Sequence, residues 1–155
     1  MKKILLICSL ICTFALVGCS SDSKVKDVST NDIKEAILSE KLIDEENIDD
    51  IDAKEFYGFE SVKDKIEEGF KLGAMINVRL RDVIVVKTSD PEAITKALEE
   101  YKENSLRMFA DGYGGEDNIE SVSNSILKTA GNYVYFIATP NASDIEASIL
   151  KVIKE

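Results

Sequence analysis

The sequence predicts an α+β fold: a two-layer sandwich, with helices on a four-stranded, mainly antiparallel sheet. Three observations carry this. Val83, Ile84, Val85 and Val86 form an unbroken β-branched run that reads as a buried strand. Asp90-Pro91 then opens a long stretch with apolar residues at helical spacing. A second strand-like run, Tyr133 to Ala138, follows the turn residues Gly131 and Asn132.

The remaining elements follow in order. Residues 20–27 are short and polar and read as a tether. Ser29 with Asp32 can cap a helix over residues 29–42 that turns Ile33, Ala36 and Ile37 inward. A shorter helix is predicted over residues 52–57, stopping at Gly58. Val62, Ile66, Phe70 and Leu72 stand at even spacings, predicting a strand over residues 61–72 interrupted near Gly69. Residues 74–80 fit a strand extension or a loop; Arg79 and Arg81 alternate with Val78 and Leu80 as on a half-exposed strand. The strand over residues 82–88 comes next.

The central helix is expected over residues 90–109, burying Ile94, Ala97, Leu98, Tyr101 and Met108. Gly112, Gly114 and Gly115 break it. A strand over residues 121–128 should pair with residues 133–138. Tyr133 and Tyr135 share one face of that last strand and Val134 and Phe136 the other; both pairs read as core. Ser143 and Glu146 make a capping box for a final helix with Ile145, Ile149, Val152 and Ile153 inward. A ββα unit thus occurs twice after the N-terminal helices.

Composition bounds the chemistry. The chain has 155 residues, 19 Lys and Arg against 29 Asp and Glu, three Cys, and neither His nor Trp. Without His there is no Ser-His-Asp or Cys-His catalysis and no imidazole switch. A net charge of -10 argues against nucleic acid, whose phosphates need clustered Lys and Arg.

Lys2 and Lys3 precede an uncharged run over residues 4–17, shorter than the roughly 20 residues of a membrane helix. This is the layout of an export signal. Leu16-Val17-Gly18-Cys19 looks like a bacterial lipobox, in which the cysteine thiol takes a diacylglyceryl group and the chain is cut before it. The expected organisation is a lipoprotein signal peptide (1–18), a lipidated Cys19 and tether (19–28), and one α+β domain (29–155). The alternative is an ordinary secreted protein cut nearby. Two acyl chains on Cys19 would hold the protein on the extracytoplasmic face of the cell membrane. Cys8 and Cys12 would leave with the signal, so no disulfide and no Cys-ligated metal is expected.

The chain also resembles a known family. Tyr57-Gly58, Val83-Ile84-Val85-Val86-Lys87, Asp90, Arg107, Tyr113, Glu116, Asn124 and Gly131-Asn132-Tyr133-Val134 follow the order and spacing of domain of unknown function 4358, small lipoproteins of Gram-positive bacteria. Gly112-Tyr113-Gly114-Gly115 replaces the usual aromatic-Asn-Pro stretch. The resemblance implies an extracytoplasmic lipoprotein with an α+β domain and supplies no catalytic or binding residues.

Two clusters carry candidate chemistry. Asp44, Glu45, Glu46, Asp49, Asp50 and Asp52 are dense enough for a weak Ca²⁺ loop, but lack the Gly and the spacing of an EF-hand; they read as a solvated acidic loop with no metal. Asp111, Tyr113, Glu116 and Asp117 lie on the Gly-rich loop, read either as a binding loop or as a plain connector. Arg107 could pair with a carboxylate there, and Asn141 reads as a helix cap rather than a glycosylation site. No cofactor is implied. The leading functional class is a non-catalytic module, bound to the membrane through Cys19, that contacts an envelope partner protein or component. The alternatives are a small-ligand receptor and a carboxylate-based envelope enzyme.

Overall fold

The computed structural model describes residues 24–44 and 47–154. The expected signal segment and Cys19 lie outside the described residues. The elements run α1 (Thr30–Ser39), β1 (Ile48–Asp52), short 3-10 turns, β2 (Ile66–Ala74), β3 (Asp82–Thr88), α2 (Pro91–Ala110), α3 (Glu116–Ser123), β4 (Ile126–Ala130), β5 (Tyr133–Ala138) and α4 (Ala142–Lys154). The sheet is open and antiparallel, with five strands in the order β1-β2-β3-β5-β4 rather than the four expected.

The fifth strand is β1, Ile-Asp-Asp-Ile-Asp, which the sequence presented as a solvated acidic loop. Its aspartates do face solvent, while Ile48 and Ile51 pack against opposite cores. Charged side chains on an edge strand discourage pairing with another chain. The helix expected over residues 52–57 is instead a pair of 3-10 turns, Ala53–Glu55 and Tyr57–Phe59, that bury Phe56 and Phe59.

Helices cover both faces of the sheet, which makes three layers rather than two. In the central strands Ile84, Val86, Val134 and Phe136 meet α2 and the 3-10 turns. Val83, Val85, Tyr133 and Tyr135 meet α1 and α4 on the other side. That second layer buries the tyrosine pair. α2 and α4 therefore lie on opposite faces, so the two ββα stretches do not repeat one another. β3 and β5 are antiparallel neighbours; a twofold relating them runs through the sheet and would leave both helices on one face.

β2 starts later than expected and carries an irregularity between Ile66 and Glu68. Such a shift reverses which side chains face which layer. Ile66 accordingly packs with Phe56 on one side while Phe70 and Leu72 pack with Val83 on the other. α2 is capped by Asp90, whose Oδ1 accepts from the Ala93 amide at 3.2 Å. Its last turn buries Leu106 and Phe109, and Met108, expected inside, is exposed. α4 opens at Ala142, so Ser143 lies within the first turn and Glu146 bonds across to the Tyr135 hydroxyl at 2.8 Å. The expected capping box is not formed.

Candidate functional site

The Gly-rich loop is a brace. Gly112, Gly114 and Gly115 all have positive φ, a region open to glycine at little cost. At Gly114 a Cβ would lie 2.1 Å from the Val78 carbonyl oxygen, so the loop presses backbone to backbone on the β2–β3 connection. Asn118, 1% exposed, locks that contact. Its Oδ1 accepts from the Leu80 amide at 2.9 Å, and its Nδ2 donates to the carbonyls of Val78 and Tyr113, each at 2.8 Å.

Asn118 sits on α3, a helix the sequence did not reveal: residues 121–123, expected as strand, are its last turn. Its fully buried residues are Asn118 and Ser121, and Val122 alone adds a partly buried apolar contact, so no apolar periodicity marked it. Gly115 stands at its N-cap without a side-chain bond, so no capping residue marked it either.

Of the four loop residues singled out, Asp111, Glu116 and Asp117 are exposed, as is the Tyr113 ring, 6.0 Å from Phe109. Asp117 pairs with Arg81 at 3.4 Å, not with Arg107, which makes no ion pair among the described residues. Arg81 is held further: its Nη1 donates to the Leu80 carbonyl at 2.7 Å and to Ser121 Oγ at 3.2 Å. Arg79 and Arg81 lie in the β2–β3 connection and not on a strand.

Through Arg81 the loop adjoins a groove of about 380 Å³ that the sequence could not show. It forms where the residues after α1, the start of β1, the end of β2 with the β2–β3 connection, and the residues after β5 converge. Leu42, Ile48 and Ile76 supply apolar wall, and Arg79, Arg81 and Thr139 supply polar groups. Thr139 Oγ1 is buried without a hydrogen-bond partner among the described residues. Asn141 also lines the groove, and its side chain donates to the Leu42 carbonyl at 2.9 Å.

A second charged cluster is fully engaged. Asp82, 6% exposed, accepts from Lys71 Nζ at 3.0 Å and from the Tyr101 hydroxyl, with the Phe56 ring 5.6 Å from the lysine. A buried ion pair satisfied in this way serves the core. In the acidic run, Asp50 pairs with Lys34 at 2.8 Å and Asp44 accepts from Asn47 at 2.8 Å. Among the described residues no three His, Cys, Asp or Glu side chains are grouped to hold a metal ion.

Residues 38–139, more than half of the chain, match the family described as Domain of unknown function (DUF4358). The chain belongs to this family. The match takes in β1 to β5 and the Gly-rich loop, and stops at Thr139 on the groove. Neither a curated protein nor a solved structure matches the chain. Among the described residues no helix is long and apolar enough to cross a membrane.

Proposed function

We propose that this DUF4358 chain is a lipid-anchored extracytoplasmic lipoprotein of the cell membrane, held through Cys19, whose domain binds a partner at the cell envelope without catalysis. The observation that carries the reading is polar asymmetry between the two ends of the sheet. At one end the chain enters the fold: the Lys26 amide donates to the Ile153 carbonyl at 2.8 Å, and Val28 is clasped by Tyr133, beside the β4–β5 turn. The groove and the β2–β3 connection lie at the other end, beyond Asp82 and Ala138.

Met75, Ile76, Val78, Met108, Tyr113 and Ile119 gather at this far end; they are all but one of the exposed large apolar residues described. Exposed apolar groups clustered in this way mark contact surfaces. Seven residues from Cys19 to Lys26 reach at most about 25 Å, so an anchor there would hold the entry end near the bilayer. The apolar end would then face away from the lipid, toward other envelope molecules. A carboxylate-based enzyme is less well supported, because Asp111, Glu116 and Asp117 are all exposed and Asp117 is paired.

Two experiments test the two halves. The Cys19→Ser chain should lose incorporation of labelled fatty acid in the native cell; retention of label overturns the anchor. A photo-crosslinking residue at Met75 in the full chain, in its own membrane, should capture a discrete product that the same residue at Glu92, on the entry end of α2, does not. No product, or an identical product from both positions, overturns the docking end.

A further inference from the structure

We infer that the groove at the far end is a site for a carboxylate borne on a small apolar group, either the C-terminal residue of a partner chain or a free short-chain acid. The inference rests on reading this end as the binding end, and three observations narrow the ligand.

The first is charge. The described lining carries Arg79 and Arg81 against Asp44, one net positive charge on a chain whose overall balance is -10. Arg81 is oriented by Leu80 and Ser121, and its ion pair with Asp117 is long and faces solvent. Arg79 lines the groove and engages no side-chain hydrogen bond or ion pair among the described residues. Guanidinium groups take planar carboxylates in paired hydrogen bonds.

The second is Thr139. Buried polar atoms almost always find a partner, and each exception calls for an explanation. Among the described residues the Oγ1 hydroxyl of Thr139 has none, and Thr139 lines the groove. Oγ1 itself is closed off from solvent, so a ligand oxygen seated beside the arginines would become its acceptor once the Thr139 side chain turns toward the groove.

The third is size and surface. About 380 Å³ is at the low end of the roughly 300–1,000 Å³ of ligand pockets, room for a short chain terminus or a short acyl group. Leu42, Ile48 and Ile76 give that group an apolar wall.

The test uses the full chain in lipid nanodiscs with isotope-labelled isoleucine methyl groups. The probes are N-acetyl-alanyl-valine as the free acid, its C-terminal amide, and pentanoate. The free acid should shift the Ile48 and Ile76 methyl signals saturably. The amide, and the Arg79→Gln chain with the acid, should each bind about tenfold more weakly or worse, as expected for loss of a charge-assisted bond. Arg107→Gln should bind as the parent does.

Tighter binding of the peptide acid than of pentanoate assigns a chain terminus; the reverse assigns a free acid. Equal binding of acid and amide, an unchanged Arg79→Gln, or no saturable shift with either acid overturns the inference. The Met75 crosslink is read independently. A captured partner without carboxylate binding sinks this inference and leaves the docking end standing, and carboxylate binding without a captured partner does the opposite.

Discussion

The Tyr133 hydroxyl closes a two-way clasp on Val28: it accepts from the Val28 amide at 2.7 Å and donates to the Val28 carbonyl at 2.6 Å. The two residues are 105 apart in sequence, so the segment leading into α1 is fastened to the central sheet before the helix begins. Tyr133 itself is fully buried, and its rigid ring sets where the chain enters the fold.

Removing that hydroxyl should therefore loosen the entry. Tyr133→Phe leaves the part-buried Val28 amide without its partner, a loss of about 1 kcal/mol. Chemical denaturation should show it, together with loss of hydrogen-exchange protection at Val28. Unchanged protection there would mean that the clasp does not hold in solution.

The loop brace makes a sharper prediction at Gly114. Alanine there meets both a positive φ of 80° and the Val78 carbonyl at 2.1 Å, so the loop must move away from the β2–β3 connection. Gly114→Ala should destabilise by about 2 kcal/mol or more. Asn118→Ala, which strands the Leu80 amide and the Val78 and Tyr113 carbonyls, should cost about 3 kcal/mol. Because both act on one contact, the double variant should lose less than the sum of the two single losses. Additive losses would separate loop from connection.

The Thr139 hydroxyl predicts the opposite sign. With no partner for Oγ1 among the described residues, replacing it by a methyl group in Thr139→Val removes a desolvated polar atom and keeps the shape. The ligand-free chain should be as stable as the parent or more stable by about 1 kcal/mol. A loss of more than about 1 kcal/mol in thermal melting would show that the hydroxyl is bonded in the free protein.

Stability should fall on the alkaline side. Burial, then the hydrogen bond to Glu146, raises the Tyr135 phenol well above its ordinary value of 10.0. The folded chain thus keeps this proton where the unfolded chain has lost it. The contribution is complete below about pH 10 and is lost as pH rises toward the folded value. Lys87 is raised too, chiefly by its hydrogen bond to Asp27, and acts with the same sign. Tm measured from pH 8 to 11 should drop more gently for Tyr135→Phe than for the parent; identical slopes would remove Tyr135 as the cause.

Local signals in the sequence determined much of the fold. Asp90-Pro91 started α2, the run at Val83 to Val86 made β3, and Gly131 and Asn132 turned β4 into β5, because each signal acts within a few residues. The misses share one cause. β1 shows only two isoleucines among aspartates, since an edge strand buries little and its charges face water. α3 turns Asn118 and Ser121 inward, so a helix held by hydrogen bonds left no apolar stripe to read. The Gly-rich loop was legible as a special segment, but its role as a brace depends on Val78 and Leu80, nearly forty residues away in sequence. Only the tertiary structure put helices on both faces of the sheet and brought Arg79, Ile48 and Thr139 around one groove. Such placements arise from packing between distant segments, and no spacing along the chain encodes them.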